Sequence, residues 1–391
     1  MLVSACSQPS AAPSGGATVK IVSSLPRTGS SKGQTDTIVN GIKMALSEAN
    51  NKAGSFTIQY DDLDDATAAK GSWDAGKEAD NANKAVSDPQ VIAYIGTFNS
   101  GAAAISIPIL CKAGLAMISP ANTAVGLTKP GKGQPDEPDK YYPGCPRNYM
   151  RVVPADDLQG SAAANWAKSL GVKNAYVLDD QELYGHGLST IFVDTARKIG
   201  LTIVGGPEGI DPKASDYRAL AQKIRAANPD LVYFGGITQN NAGKLLQDLK
   251  AAMPDVKFMG PDGIYEKAFI DAAGPAAEGA YITFGGVPPS KLTGKGADWY
   301  KRYKDQYKAE PEAYAAYGYE AAKVVLDAIA RAGKADRAAV RDAMIHTKDF
   351  DGVLGKWSFD ANGDTTLSTL SGRQVKNGAF DDANAVLLEA S

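Results

Sequence analysis

Val91-Ile92-Ala93-Tyr94-Ile95-Gly96-Thr97-Phe98-Asn99-Ser100-Gly101 and, further along, Ala116-Met117-Ile118-Ser119-Pro120-Ala121-Asn122-Thr123 decide how this chain folds. Each begins as a short apolar run of the kind a fully buried strand needs. Each ends in small hydroxyl or amide residues. Between them, residues 101–113 read as a helix, so the span predicts two parallel strands joined by a helical crossover. In an open parallel sheet, ligands sit beyond the carboxyl ends of the strands, where helix N-termini present free N–H groups. The two loops therefore predict a site for a small polar or zwitterionic molecule. They predict no chemistry, because no strong base or nucleophile-activating group stands beside them.

The same alternation runs outward in both directions. Strands are predicted at 19–24 and 56–61, with helices at 35–50 and 73–86. After a Pro-, Gly- and Lys-rich insertion at 128–148 the pattern restarts, with strands at 174–178, 202–204, 231–234 and 257–259. Helices near 158–170, 188–199, 217–227 and 241–252 lie between them. Repeated βα units imply parallel sheets and an α/β fold class. Two successive sets, in a chain of 391 residues, imply two similar domains. A strand at 279–284 is followed by helical stretches at 297–307, 312–332 and 337–346. A hairpin from 355 carries Asn362-Gly363 as its turn signal. Periodicity alone leaves open which domain the late helices join.

Composition is that of an ordinary globular protein, 44% apolar and 22% charged. A net charge of −3 gives no electrostatic footprint for nucleic acid or an anionic membrane surface. His186 and His346 are the only histidines, which leaves little material for a histidine-based metal site or catalyst. No apolar run approaches the roughly 20 residues that span a bilayer. Leu2-Val3-Ser4-Ala5-Cys6 resembles the end of a bacterial lipoprotein signal, with residues 7–17 as a Ser-, Ala-, Pro- and Gly-rich tether. The other reading of Cys6 is a chance cysteine in a polar tail; the expectation here is an anchor. Cys145 lies in the insertion and Cys111 near the end of the helix between the opening motifs. In an exported protein they are compatible with one disulfide, worth about 2–4 kcal/mol, or with two unpaired thiols.

Two catalytic signatures are missing: there is no C-x-x-C and no H-E-x-x-H. Gly126 to Lys132 has the spacing of a phosphate loop, but Gly133 stands where a magnesium-holding Ser or Thr is needed, and Pro130 suits a surface loop. The acidic run at 61–65 lacks the glycine and glutamate of a calcium loop and is expected to end a strand and cap the next helix. Ser100 reads either as a carboxylate-holding hydroxyl at a helix N-terminus or as a plain N-cap worth about 1 kcal/mol. Thr123 and the Ala121 carbonyl offer a donor and an acceptor for one ammonium or amide group. Asp262 in Phe258-Met259-Gly260-Pro261-Asp262-Gly263 is either a turn residue or the counter-charge of an ammonium. Tyr184 is an aromatic wall or ordinary packing.

Together these residues resemble the periplasmic branched-chain amino-acid binding proteins, the substrate-binding lipoproteins of ABC importers, over roughly residues 19–359. The Ser100 loop and the 118–123 segment carry the resemblance, with Asp179-Asp180-Gln181-Glu182-Leu183-Tyr184-Gly185-His186-Gly187, Pro229-Asp230-Leu231-Val232-Tyr233-Phe234-Gly235-Gly236 and the Phe258 to Gly263 stretch. It implies a type I periplasmic binding fold, two Rossmann-like lobes with parallel sheets that close on a ligand. Three hinge crossovers should fall near 152–154, 280–283 and 359–363. The N-terminal lobe would take 18–152 with 281–358, the C-terminal lobe 153–280 with 359–391, and 1–17 a signal remnant and tether.

By the same resemblance Ser100 holds the ligand carboxylate, Ala121 and Thr123 the head group, and Asp262 the ammonium, with Tyr184 joining on closure. Asn99, Phe98, Lys32 and Gln239 would select the side chain. Asn99, Lys32 and Gln239 depart from the family's apolar or tyrosine residues and make the pocket polar. An apolar ligand against an unpaired buried amide costs about 1–3 kcal/mol, so a polar or acidic amino acid, or a small amide, is expected. The implied protein is a monomeric, non-enzymatic carrier outside the cytoplasm, lipid-anchored and without cofactor or metal. Its partners are a small-molecule ligand and the membrane subunits of an ABC permease. A ligand-sensing receptor domain and an amide hydrolase are the alternatives; the first lacks a signalling module in this sequence, the second an activated nucleophile.

Overall fold

In the computed structural model, which describes residues 17–390, Val91–Gly96 and Ala116–Ser119 pair in parallel with Ile95 opposite Ile118. Every residue of both strands is buried, which is why neither alternates in sequence. They belong to a sheet ordered Lys52–Ala53, Phe56–Asp64, Thr18–Leu25, Val91–Gly96, Ala116–Ser119, Tyr149–Arg151. Only Lys52–Ala53 runs antiparallel. A second sheet is ordered Thr202–Gly209, Asn174–Asp179, Leu231–Gly235, Lys257–Gly260, Tyr281–Phe284, all parallel. Leu370–Lys376 then joins antiparallel to Tyr281–Phe284. In each sheet the chain starts inside, moves to one edge and returns past its start. That leaves a switch point beside Thr18–Leu25 and another beside Asn174–Asp179, the places where such sheets bind ligands.

Helices α1 (Lys32–Glu48), α2 (Ala75–Ser87) and α3 (Ser100–Lys112) connect the first sheet. Helices α4 (Asp156–Ser169), α5 (Leu183–Lys198), α6 (Arg218–Ala226), α7 (Ala242–Ala252) and α8 (Lys267–Ala273) serve the second. The late helices α9 (Lys295–Tyr307), α10 (Ala315–Ala332) and α11 (Arg337–Ile345) answer the question periodicity left open. Helix α10 packs along α1, and α11 lies against Val91–Gly96 and Ala116–Ser119, so this block belongs to the first lobe. The α1–α10 contact is close because a Cβ on Gly41 would sit 2.3 Å from the Ala315 carbonyl oxygen; only glycine permits it.

The chain therefore crosses between lobes three times. The first crossing follows Tyr149–Arg151, whose next residues lead into α4. The second follows Phe284, because Tyr281–Phe284 is paired on both sides within the second sheet; the expected crossing at 280–283 lies inside that strand. The third follows Asp364, whose backbone bridges to Arg151 of the first sheet. Residues 359–364 thus stay with the first lobe, and the lobe limits at 281 and 359 move a few residues later. Both shifts have one cause: backbone pairing between distant segments, antiparallel for Tyr281–Phe284 and parallel for Asp364, which local periodicity does not register.

Smaller expectations are corrected as well. The late hairpin pairs Phe350–Gly352 with Gly355–Trp357, so its turn is Val353-Leu354. Asn362-Gly363 turns a single antiparallel bridge between Phe359 and Thr365. The acidic run does not cap α2; that cap is Asp74, which accepts the Lys77 N–H at 3.0 Å. Asp64 instead takes the Arg27 N–H at 2.8 Å and the Thr28 hydroxyl at 2.7 Å. Cys111 and Cys145 are disulfide-bonded with Cα atoms 5.9 Å apart, which ties the insertion to α3. Cys6 lies outside the described residues. Among the described residues no helix is long and apolar enough to cross a membrane.

Candidate functional site

The two loops of the first lobe are fastened to each other before they face anything else. Ser119 donates to the Thr97 carbonyl at 2.8 Å and accepts the N–H groups of Ala121 and Asn122 at 3.0 and 2.8 Å. The Asn122 amide donates to the Phe98 carbonyl at 3.0 Å and accepts the Tyr149 hydroxyl at 3.2 Å. Ser119 and Asn122 are thus spent on the scaffold, while Ser100 and Thr123 border the cleft. Ser100 opens α3 and accepts the Ala124 N–H at 3.3 Å, which leaves its own proton to donate. The N-cap Asn99 makes no side-chain bond to the first turn, so the positive end of α3 faces the cleft with its N–H groups uncapped. The Thr123 hydroxyl is buried and has no hydrogen-bond partner.

The second lobe answers with acceptors. Asp262 follows the strand Lys257–Gly260 and is 5% exposed. Its Oδ1 accepts the Tyr184 hydroxyl at 2.8 Å and the Gln159 amide at 2.7 Å. Its Oδ2 accepts the hydroxyl of Tyr314, the N-cap of α10, which reaches across from the first lobe. Tyr184 also accepts the Gly263 N–H at 3.0 Å, so it positions Asp262 rather than forming only a wall. A Cβ on the next residue, Gly185, would lie 2.4 Å from the Gly235 carbonyl oxygen; glycine lets the start of α5 press onto its strand.

A second carboxylate stands close behind. Asp156, in the first turn of α4, is buried with neither side-chain oxygen hydrogen-bonded, and its backbone N–H is held by the Thr123 carbonyl at 2.9 Å. Burial raises the Asp156 carboxyl well above the usual carboxylate range, and the Asp262 charge raises it further. Burial also raises Asp262, against the pull of its bonds from Tyr314, Tyr184 and Gln159. Among the described residues no cation forms an ion pair with either acid, since Arg27 is tied to Asp36 and Asp62 and Arg151 to Asp364.

One cleft brings together Phe98, Asn99, Ser100, Ala121, Thr123, Tyr184 and Asp262. Two expected residues are not there. Lys32 is exposed at the start of α1 and pairs with Asp36 one turn on. Gln239 donates to Glu266 at 2.7 Å and borders a separate surface hollow. The cleft includes three residues that sequence reasoning gave no role, Glu182, Ile237 and Tyr314, with Asp156 and Gln159 behind it. Tyr314 was expected inside a helix beginning at 312, and Asp156 lay before a helix expected from 158; in both cases a misplaced helix start hid the residue. Donors on one lobe and acceptors on the other make an arrangement suited to a zwitterion. Among the described residues no group of three or more His, Cys, Asp or Glu could hold a metal ion.

A family model described as periplasmic binding protein matches residues 18–379. The chain is 31% identical over 348 residues to a Leu/Ile/Val-binding protein homologue of Brucella abortus, covering 88% of this chain and 86% of that one. It is 28% identical to a leucine-, isoleucine-, valine-, threonine- and alanine-binding protein of Pseudomonas aeruginosa, covering 89% and 87%. Among solved structures, a leucine binding protein of Thermotoga maritima superposes with a TM-score of 0.82 at 26% identity, covering 95% and 98%.

Proposed function

We propose, starting from the fact that the chain belongs to the periplasmic binding protein family, that its cleft takes a small amino acid by both charged ends. The protein is an extracytoplasmic substrate-binding component of an amino-acid ABC transporter, a reading supported by the family match and by relatives named as amino-acid binding proteins. Ser100 and the N-terminus of α3 receive the ligand carboxylate, and the Ala121 carbonyl and Thr123 hydroxyl orient the head group. Asp262 takes the ammonium, with Asp156 as a second buried acid behind it. Tyr184 and Gln159 hold Asp262 in place, and Tyr314 joins the two lobes over it. The ligand side chain is polar, Asn99 being the first contact that favours this. No bond-breaking step belongs to the site: binding and lobe closure are the whole of its work. Cys6 serves as a lipid anchor and the carrier is a monomer, readings supported by the Leu2 to Cys6 stretch and by the self-contained two-lobed fold.

The observation that carries this reading is the pair of buried acids with no cation paired to them. A buried charge without a partner costs several kcal/mol, and an ammonium supplied by the ligand relieves it. A thermal-shift screen over amino acids, amides and small carboxylates tests it. At 100 times Kd a ligand adds about 2.7 kcal/mol of stability. An amino acid should raise the melting temperature of the parent and fail to do so for Asp262→Ala. A screen in which only compounds without an ammonium stabilise the protein would sink the proposal.

A further inference from the structure

We propose that the ligand's side chain ends in a hydrogen-bond donor, an amine or amide NH2, and that Glu182 and Asn99 select it against leucine-like and carboxylate side chains. This rests on the reading of the cleft as an amino-acid site. Glu182 and Asn99 occupy the same position on facing helices, the N-caps of α5 and α3, one in each lobe. An N-cap side chain ordinarily turns back onto the first N–H groups of its own helix. Neither does so here, and both border the cleft. Glu182 reaches to the first lobe, where a Cβ on Gly101 would lie 3.3 Å from its Oε2. The Asn99 Oδ1 is buried with no hydrogen-bond partner.

Ionised Glu182 presents acceptors alone, and the unpartnered Asn99 Oδ1 adds another beside the amide's own N–H groups. Among the described residues, the charged ones bordering the cleft are Asp262 and Glu182, with no Lys, Arg or His. Lys70, whose charge pulls the Glu182 carboxyl down, is paired with Asp74 at 3.0 Å, and Arg27 with Asp36 and Asp62. A zwitterion spends its ammonium on Asp262, which leaves Glu182 without an ion-pair partner among the described residues, although the Lys70 charge acts on it. A second carboxylate on the ligand would meet Glu182 as a like charge. A leucine side chain would strip water from two acceptors and return nothing. A short amine or amide satisfies both, with Phe98 and Ile237 packing against its methylene stem. Burial raises the Glu182 carboxyl, and a bound cation would draw it down again.

Titration calorimetry on the full chain with L-2,4-diaminobutyrate, L-glutamine, L-leucine, L-glutamate and L-alanine tests this. Diaminobutyrate or glutamine should bind at least about 10-fold tighter than leucine, with glutamate weakest. Glu182→Gln should weaken diaminobutyrate about 10-fold while leaving alanine, which has no side-chain donor, within about 2-fold. If leucine or glutamate binds the parent as tightly as both donor ligands, or Glu182→Gln leaves diaminobutyrate unchanged, the inference is overturned and the amino-acid site stands. If none of the five binds, the reading of the cleft itself falls.

Discussion

Asp364 at the hinge and Asp262 in the cleft are almost equally buried, 3% and 5% exposed, but their surroundings differ. Asp364 accepts Arg151 Nε at 2.6 Å and the Thr128 hydroxyl at 3.0 Å, and Lys129 lies 3.8 Å away. Burial pushes its carboxyl up, but the Arg151 charge and hydrogen bond outweigh that and hold it below the usual range. Arg151 also donates to the Ala124 carbonyl at 2.8 Å, so the hinge pair buttresses the loop that carries Ser100 and Thr123. Asp262 receives only neutral donors and shares its region with a second unpaired acid, and burial raises it. The hinge is electrostatically complete within the chain. The cleft is not, and its missing charge is the one an amino acid brings.

Substitutions at the two acids should have opposite signatures. Arg151→Met leaves Asp364 buried without its partner and should lower unfolding stability by about 3–5 kcal/mol in urea titrations. Asp262→Asn keeps the shape and removes a buried charge. It should leave stability unchanged or higher while weakening amino-acid binding by about 2–3 kcal/mol, roughly 30- to 100-fold by calorimetry. A large loss of stability in Asp262→Asn would erase the distinction between hinge and cleft.

The pH response should separate them too. Asp262 is raised in the unliganded protein, so part of the population holds a proton there that an ammonium must displace. Binding then releases protons, and affinity should climb as pH rises from the ordinary aspartate value of 3.8 through the raised one. Over that window the unliganded protein loses the contribution of this group to stability as pH rises. Asp364 has the opposite sign: its lowered carboxyl stabilises the fold above 3.8, a contribution lost only as pH falls through the depressed value. Calorimetry in buffers of different ionisation enthalpy reads the released protons directly. The smallest effect is expected at Ser100→Ala, about 10-fold in affinity, because the N–H groups of α3 still face the carboxylate.

What could be read from sequence follows the same division. The Val91 and Ala116 strands, the loops after them and the Ser100, Thr123 and Asp262 positions are local patterns, and the structure brings those residues to one cleft. The partners of Asp262 are not local. Gln159, Tyr184 and Tyr314 come from three helices, with sequence separations from 52 to 103. Nor is the Arg151–Asp364 pair, 213 residues apart, visible from spacing. Lys32 is expected in the pocket because it stands where the resemblance puts a tyrosine, but it opens α1 and an i,i+4 pair with Asp36 keeps it at the surface. The lobe limits failed for a related reason, since Tyr281–Phe284 is held by a strand nearly ninety residues later.

The central claim is that the cleft is completed by an ammonium. The most direct measurement compares the tightest-binding amino acid with its 2-hydroxy acid, identical except that a hydroxyl replaces the ammonium, on the parent and on Asp262→Asn. The hydroxy acid should bind the parent at least about 100-fold more weakly, and the gap should shrink below about 10-fold in the variant. Equal affinity of the two ligands for the parent would contradict the claim.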